Sequence, residues 1–445
     1  MVQSFPKIKT ELPGRKAKEI IKKDRQYTSS SYIKEYPLVI RRGEGSMVED
    51  VDGNRFLDFM GGIAVNITGY SHPKVVEAIK RQSEKFLHIC GTDFYYSSFA
   101  NLAHRLAEIA PMAGAKSVFF TNSGSEAVDT AIKLARYSTR RPYIIAFFGA
   151  FHGRTMGAIS LTSSKATQRS FFGPFLPGVY HVPYAYCYRC PYNLEYDSCG
   201  IYCAEAIEKI LCKSHMSPEE IAAIFVEPIQ GEGGYIVPPV EFHQKLRKFS
   251  NKHNIILVAD EVQSGMGRTG KFLAIENFNV EPDVILLAKG FASGLPLGAV
   301  ISKKKFMTWK SGTHGSTFGG NPLACEAALA TLDLVEKGLM KNALKMGSLL
   351  IEKLKRLKEK YSIIGDVRGM GLMIGVELVK DQKTREPAVR ASHEIVQDAF
   401  KKGLLLLPCG ENVIRFSPPL VISAKEIDIA LDIFSDVLDQ YKTQR

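Results

Sequence analysis

The middle of the chain alternates short apolar runs with segments of helical period. The apolar runs are rich in Val, Ile and Phe and show little alternation, which is typical of strands covered on both faces. They are "SVFFTN" (117–122), "YIIAFF" (143–148), "AAIFVEP" (222–228), "IILVADEV" (255–262), "VILLAKG" (284–290) and "GAVIS" (298–302). Amphipathic segments lie between several of them, such as residues 126–140, and "SPEE" (217–220) has the form of a helix N-terminus. This order predicts an α/β domain with a mostly parallel sheet.

The two ends of the chain have a different pattern. "GSMVEDVDGNRFLDF" (45–59) predicts a hairpin, and a long helical stretch runs from about residue 323 to residue 360. Residues 363–378 and 413–420 predict further strands, and the capping box Ser423–Glu426 starts a last helix. We therefore expect a large domain over residues 71–330 and a smaller α+β domain built from residues 1–70 and 331–445.

Composition narrows the class of protein. The 445 residues are 45% hydrophobic and 23% charged, which is ordinary for a soluble globular protein. The net charge is +12, but the basic residues are spread along the chain and often alternate with acidic ones, so we expect small acidic ligands and no nucleic acid. No run of eighteen apolar residues occurs, and the first residues lack the apolar core of a signal peptide. We expect no membrane association and a cytoplasmic location.

Polar residues follow three of the predicted strands. "TNSGSEA" (121–127) joins a strand to a helix, where free backbone N–H groups would suit a phosphate. Asp260 ends a second strand and Lys289 ends the next one. Ligands of α/β sheets bind outside the carboxyl ends of the strands. A ligand that needs a phosphate cradle, a carboxylate for a ring nitrogen and an amine for an aldehyde is pyridoxal phosphate. A lysine that only extends its amine to water is the plainer alternative.

Six segments, in this order, resemble the class III aminotransferases of the fold type I pyridoxal-phosphate enzymes. They are "TNSGSEA", "FFGAFHGRT", "FVEPIQGEGG", "VADEVQSGMGRTG", "LLAKG" and "HGSTFGGNPLA". The resemblance extends over about residues 45–420, and within the class the chain is most similar to the 4-aminobutyrate, or ω-amino acid, aminotransferases. It implies that the large domain, with its mostly parallel central sheet, binds the cofactor.

The resemblance assigns three residues to the reactive part of the cofactor. Lys289 would form a Schiff base with the aldehyde and would move the proton during the reaction. Asp260 would pair with the pyridine nitrogen, and Gln263 would reach the ring hydroxyl.

Five further residues are implied around the rest of the cofactor. Gly124 and Ser125 would hold the phosphate through backbone N–H groups, and Phe151 would stack on the ring. Glu227 would lie near the ring. Thr317 resembles the threonine that reaches the phosphate of the partner subunit, so a homodimer with shared active sites is implied.

Four residues relate to the substrate. Arg415 lies between apolar residues on a predicted strand, where a buried arginine must pair with an acid or bind one. It resembles the arginine that binds the α-carboxylate of glutamate and 2-oxoglutarate, and Arg154 resembles the one that binds the distal carboxylate. Glu232 resembles a switch that pairs with Arg415 when a substrate lacks an α-carboxylate. Ile63 matches an apolar pocket residue where ornithine enzymes tend to carry a tyrosine.

These residues predict transamination of an ω-amino acid, foremost 4-aminobutyrate, with 2-oxoglutarate as the acceptor. An ornithine or acetylornithine aminotransferase and an amino-acid racemase share the cofactor and stay open as alternatives. A different class of protein, a metal-stabilised binding protein, is suggested by a cluster of cysteines.

That cluster is "CYRCPYNLEYDSCGIYC", with thiols at Cys187, Cys190, Cys199 and Cys203. Four thiols at short spacing in an intracellular protein are compatible with a structural zinc or iron–sulfur site. Disulfides and free thiols are the competing interpretations. We expect this segment on a loop of the large domain, outside the active site.

Overall fold

The computed structural model describes residues 5–443, which fall into two compact units. The first unit joins Met1–Pro73 to Asn342–Arg445, and the second comprises Lys74–Lys341. No helix within residues 5–443 combines the length and the apolar character needed to cross a membrane.

The N-terminal part of the first unit holds one long helix and a small set of strands. Its elements are α1 (Arg15–Tyr27), β1 (Ile40–Glu44), β2 (Met47–Asp50), β3 (Arg55–Asp58) and the short α2 (Gly61–Ala64). The pair β2–β3 is the predicted hairpin, with Met47 opposite Leu57.

The second unit contains a seven-stranded sheet and the helices that cover it. Its elements are α3 (Pro73–Ser83), α4 (Ser97–Ile109), β4 (Lys116–Thr121), α5 (Gly124–Thr139), β5 (Tyr143–Phe147), α6 (Met156–Leu161), β6 (Val179–Val182), α7 (Tyr202–Ala206), α8 (Cys212–Ser214), β7 (Ile221–Val226), α9 (Val240–His253), β8 (Ile256–Asp260), β9 (Val284–Leu287), β10 (Gly298–Lys303) and α10 (Pro322–Leu334). The strand order is β4-β10-β9-β8-β7-β5-β6. β10 runs antiparallel to both of its neighbours, and the pairings from β9 to β6 are parallel.

The mostly parallel sheet that the apolar runs predict is thus confirmed. Every residue of β7, β8 and β9 is buried, as expected for strands with cover on both faces. The helix α5 lays its apolar stripe, including Ala127, Ala131 and Leu134, into the same core cluster as Phe225 and Val258. A sheet of this type brings the carboxyl ends of its parallel strands to one edge.

The C-terminal part of the first unit packs helices with a second small sheet. Its elements are α11 (Met340–Lys360), β11 (Ile364–Met370), β12 (Met373–Leu378), α12 (Val389–Lys401), β13 (Leu404–Leu405), β14 (Leu407–Cys409), β15 (Val413–Phe416) and α13 (Ala424–Thr443). The order β11-β12-β15-β14 is antiparallel throughout, whereas β13 pairs in parallel with β3. The predicted capping box is formed at the start of α13, where Ser423 Oγ accepts the Glu426 N–H.

Two local predictions differ from the structure. Ser217–Glu220 does form a capping box, but the helix after it is a single 3₁₀ turn because the buried strand β7 starts at Ile221. The long helix predicted from residue 323 is interrupted at Val335–Leu339, where Gly338 leaves the helical backbone conformation. The edge strand β6 was not among the predicted strands.

Candidate active site

The carboxyl ends of β4, β8 and β9 meet around Gly124. A Cβ atom on Gly124 would lie 3.0 Å from a methyl carbon of Val262 and 3.6 Å from Ala288 Cβ. Val262 follows Asp260 by two residues, and Ala288 precedes Lys289. The first helical residue of α5, the predicted acid and the predicted amine therefore belong to segments in van der Waals contact.

The N-terminus of α5 is shaped as an anion cradle. Ser123 accepts the Glu126 N–H at 3.2 Å, and Glu126 accepts the Asn122 N–H at 2.8 Å. The N–H groups of Gly124 and Ser125 lie in the first turn, where no preceding helical carbonyl can accept them. Such groups bind phosphate readily because they add to the positive end of the helix dipole.

The segment after β5 closes this cradle. Ser125 Oγ accepts the Arg154 N–H at 3.2 Å. Gly153 approaches so closely that a Cβ atom there would lie 2.2 Å from Ser125 Oγ. Any larger residue at position 153 would fill the space that holds the start of α5.

Lys289 begins a short 3₁₀ helix, Lys289–Ala292, directly after β9. Its φ of 41° lies in the left-handed region, which is costly for a residue with a side chain. The lysine is half-buried, and it follows four fully buried strand residues. A strained backbone at the predicted reactive residue is typical of functional sites.

Asp260 is buried and has a partner that the sequence did not identify. His152 Nδ1 lies 2.6 Å from Asp260 Oδ2, and Asp260 Oδ1 accepts the Val262 N–H at 3.1 Å. Burial lowers the pKa of His152, but the hydrogen bond to Asp260 and the charges of Asp260 and Glu227 outweigh it, so the pKa lies above its ordinary value. The two hydrogen bonds hold the acid in place where a ring nitrogen would need it.

Glu227 links two loops beside this acid. Its Oε2 accepts the Phe151 N–H at 3.1 Å, and its Oε1 accepts the Gly231 N–H at 3.0 Å. Burial raises the pKa of Glu227 to about 7, and Asp260 adds to the increase. Gln263 lies against Gly231, and its Oε1 accepts the Tyr235 hydroxyl at 2.9 Å.

The remaining predicted residues of the second unit lie in more open positions. Arg154 is exposed, and its guanidinium carbon lies 5.8 Å from the centre of the Phe151 ring. Glu232 is half-buried and lies 3.1 Å from Lys165 Nζ. Thr317 is exposed on a turn whose neighbour, Ser316, accepts a hydrogen bond from Asn122.

Two predicted residues belong to the first unit. Arg415 is buried in β15, and its Nη2 donates to the Pro408 carbonyl at 2.9 Å. Ile63 is 45% exposed and has a φ of 63°, on the short turn that includes Gly62.

The second unit fits pyridoxal phosphate group by group. The cradle at Gly124 and Ser125 suits the phosphate, and a Cβ at Gly153 would clash with Ser125. The His152–Asp260 pair suits the ring nitrogen. Lys289 supplies the amine for the aldehyde, so each polar group of the cofactor has a matching residue type.

Comparisons with known proteins agree with this fit. The family model "Aminotransferase class-III" matches residues 28–438. An amine transaminase from an uncultivated Pseudomonas species, solved with pyridoxal phosphate bound, superimposes with a TM-score of 0.86 at 33% identity and covers 93% of this chain and 97% of its own. The fold is therefore the type I fold of the pyridoxal-phosphate enzymes. The chain belongs to the class III aminotransferase family and depends on pyridoxal phosphate.

Two curated relatives differ in reaction. The chain is 43% identical to an alanine/serine racemase of Pyrococcus horikoshii, over 97% of this chain and 92% of that one. It is 41% identical to a probable 4-aminobutyrate aminotransferase of Bacillus subtilis, over 88% and 91% respectively. The family is established, and the substrate is the remaining question.

The predicted metal site at the cysteines gains no support. Cys187, Cys190, Cys199 and Cys203 do line one small cavity, and all eight cysteines are free. Burial raises the pKa of Cys187 to about 11 and that of Cys203 to about 12. Within residues 5–443 no group of three or more His, Cys, Asp or Glu side chains is arranged to hold an ion.

Proposed function

We propose that the protein transfers the amino group of an ω-amino acid, foremost 4-aminobutyrate, to 2-oxoglutarate. The observation that carries the proposal is the charged rim beside a buried cofactor apparatus: Arg154 lies over Phe151, and Glu232 pairs with Lys165. A cation at the rim suits the distal carboxylate of a substrate whose amine must reach Lys289. The 41% identity to a probable 4-aminobutyrate aminotransferase supports the same donor.

The chain's own groups have distinct tasks in this proposal. Bound pyridoxal phosphate supplies an aldehyde and an electron-withdrawing ring. Lys289 Nζ would hold that aldehyde and would move the proton at the reacting carbon of the substrate. The Asp260 carboxylate, held by His152, would pair with the ring nitrogen and favour its protonated form.

The substrate side uses separate residues. Arg154 binds the distal carboxylate, and Arg415 binds the α-carboxylate of glutamate and 2-oxoglutarate. Glu232 neutralises the α-carboxylate site when the donor has no α-carboxylate. Ile63 offers an apolar surface in place of the tyrosine expected in an ornithine enzyme.

A second candidate, amino-acid racemisation, is favoured by the 43% identity to the alanine/serine racemase. Racemisation needs the same cofactor-binding residues. It differs from amino transfer in that the proton returns to the opposite face of the substrate carbon. An assay of purified protein separates the two: glutamate formation from 4-aminobutyrate plus 2-oxoglutarate, beside loss of optical rotation of single L-amino acids without an acceptor. Ornithine and acetylornithine belong in the donor screen. Racemisation without glutamate formation would overturn the first proposal.

A cofactor control completes the test. Lys289→Ala should abolish either activity and remove the absorbance band of the lysine-bound cofactor. Lys271→Ala, an exposed lysine of the same unit, should leave both unchanged. The wild type without such a band would contradict the proposal outright.

We further propose that two copies form a dimer, which the exposed apolar side chains around residues 86–95 support. These side chains and one beside Thr317 are Phe86, Leu87, Phe94, Tyr95 and Phe318. A second copy of the chain would remove this surface from water and bring Thr317 to the partner's phosphate. Light scattering on the wild type and on Leu87→Glu tests the dimer. The wild type should be a dimer and Leu87→Glu should weaken it, and a wild-type monomer would refute the proposal.

A cytoplasmic location stays a prediction.

A further inference from the structure

Tyr235 is a buried residue behind the candidate site, and the tasks assigned above do not include it. Its side chain is fully buried, and its hydroxyl donates to Gln263 Oε1 at 2.9 Å. Arg268 is also almost completely buried and interacts electrostatically with Tyr235. A guanidinium has only donors, so it favours the lone pairs of the tyrosine oxygen and leaves the hydroxyl proton for Gln263.

This contact determines which way the Gln263 amide is oriented. A glutamine amide has one acceptor oxygen and one donor NH₂ group, and the oxygen is taken by Tyr235. The NH₂ group packs on the backbone at Gly231, where a Cβ atom would lie 2.6 Å from Gln263 Nε2. Gln263 therefore presents a donor on the side away from Tyr235.

We propose that Tyr235, supported by Arg268, is a positioning residue that locks Gln263 as a hydrogen-bond donor to the phenolic oxygen of the cofactor. The inference rests on the proposed function and on the position at the ring hydroxyl that the family resemblance implies for Gln263. Without the Tyr235 hydroxyl the Gln263 amide can rotate. Its oxygen would then face the phenolic oxygen of the cofactor, which needs a hydrogen-bond donor. The orientation of one half-buried amide would thus control the charge on the cofactor ring.

The consequence can be measured without any substrate. Negative charge on the phenolic oxygen helps to keep a proton on the nitrogen that would join Lys289 to the cofactor. A hydrogen bond donated to this oxygen reduces that charge and so weakens its hold on the proton. Loss of the donor should therefore raise the pH at which the absorbance of the bound cofactor changes. A hydrogen bond of ordinary net strength corresponds to a shift of about 0.5–1 pH unit.

The experiment is a spectrophotometric pH titration of the holoenzyme and its variants. Tyr235→Phe and Gln263→Leu should each raise the midpoint by about 0.5–1 pH unit. The double variant should show no further shift, because both changes remove the same donor. Tyr361→Phe is the matched control: Tyr361 is 3% exposed, its hydroxyl lies 2.8 Å from Ser435 Oγ, and it belongs to the first unit. Its midpoint should equal that of the wild type.

Several results would overturn the inference. Tyr235→Phe with a wild-type midpoint would do so, as would additive shifts in the double variant. If Tyr235→Phe does not fold, Gln263→Leu is the deciding variant. An unchanged midpoint in Gln263→Leu would show that Gln263 donates no hydrogen bond to the cofactor, so that Tyr235 would have no donor to position. A wild type that titrates as expected but does not use ω-amino acids would refute the substrate proposal alone. A wild type that transfers amino groups while Tyr235→Phe titrates normally would refute this inference alone.

Discussion

Gly153→Ala tests whether the start of α5 is the phosphate cradle. The added methyl carbon would lie 2.2 Å from Ser125 Oγ, 2.8 Å from Ser125 Cβ and 2.9 Å from Ser125 Cα. Rotation of the serine side chain relieves only the first contact, because the Cα atom belongs to the helix backbone. The first turn of α5 must therefore move, and the N–H groups of Gly124 and Ser125 move with it.

The size of the effect can be worked out from the two costs involved. Overpacking of this kind costs about 1–3 kcal/mol. The φ of +132° at Gly153 adds backbone strain of about 1–3 kcal/mol for a residue with a side chain. If displacement of the first turn of α5 relieves the overpacking, its cost of about 1–3 kcal/mol appears as weaker cofactor binding. The Kd for pyridoxal phosphate should then rise about 5- to 150-fold.

The assay is a titration of the apoprotein with pyridoxal phosphate, followed through quenching of Trp309, the single tryptophan. Urea unfolding of the same samples measures stability. Gly114→Ala is the control, since Gly114 has a φ of +79° and no atom within 4 Å of the added carbon. It should lose stability through backbone strain and keep its affinity. Equal Kd values for the two variants would refute the assignment of the cradle.

Three further changes test other parts of the site. Asp260→Asn should lower kcat about 100-fold or more, because a neutral amide cannot sustain charge at the ring nitrogen, and steady-state kinetics measure it. Lys165→Met removes the cation beside Glu232, so the KM for 2-oxoglutarate should rise roughly 2- to 5-fold while that for 4-aminobutyrate does not rise. Burial lowers the pKa of His243 to about 4, and its Nε2 lies 2.9 Å from the Pro228 carbonyl. Its neutral form is therefore stabilising above the unfolded pKa of about 6.5, and up to about 3 kcal/mol is lost as the pH falls to 4. His243→Gln should remove that share of the acid destabilisation in urea titrations, and an unchanged pH dependence would contradict it.

The parts of the fold that depend on local pattern could be predicted from the sequence. The continuous apolar runs at β7, β8 and β9 indicated strands with two covered faces, and the capping box at Ser423 located the start of α13. The prediction of a helix after Ser217 was wrong, because a capping box determines only the first turn. The conformation beyond that turn is set by the pairing of β7 with β5 and β8, which is a tertiary interaction.

The partners within the candidate site could not be predicted in the same way. A buried acid at Asp260 requires a compensating group, but nothing in the local pattern selects His152, which lies 108 residues away. The same is true of Tyr235 and Gln263, which are 28 residues apart. Spacing also overestimated the cysteine cluster, because short spacing brings thiols to one cavity without fixing the geometry that a metal needs.

Backbone hydrogen bonds hold the loops at the strand ends of the second unit. Buried carboxylates hold the loops at the strand ends through backbone N–H groups: Glu227 binds two loops, and Glu261 accepts the N–H groups of Ala274 and Ile275. Such contacts are independent of the neighbouring side chains, so the loops keep their shape while exposed residues change. Arg154 and Glu232 lie on the more open side of this frame. If Arg154 and Glu232 have the proposed roles, their replacement would alter which carboxylate is bound without moving Lys289 or Asp260. We therefore expect the choice between amino transfer and racemisation to depend on the rim rather than on the cofactor site.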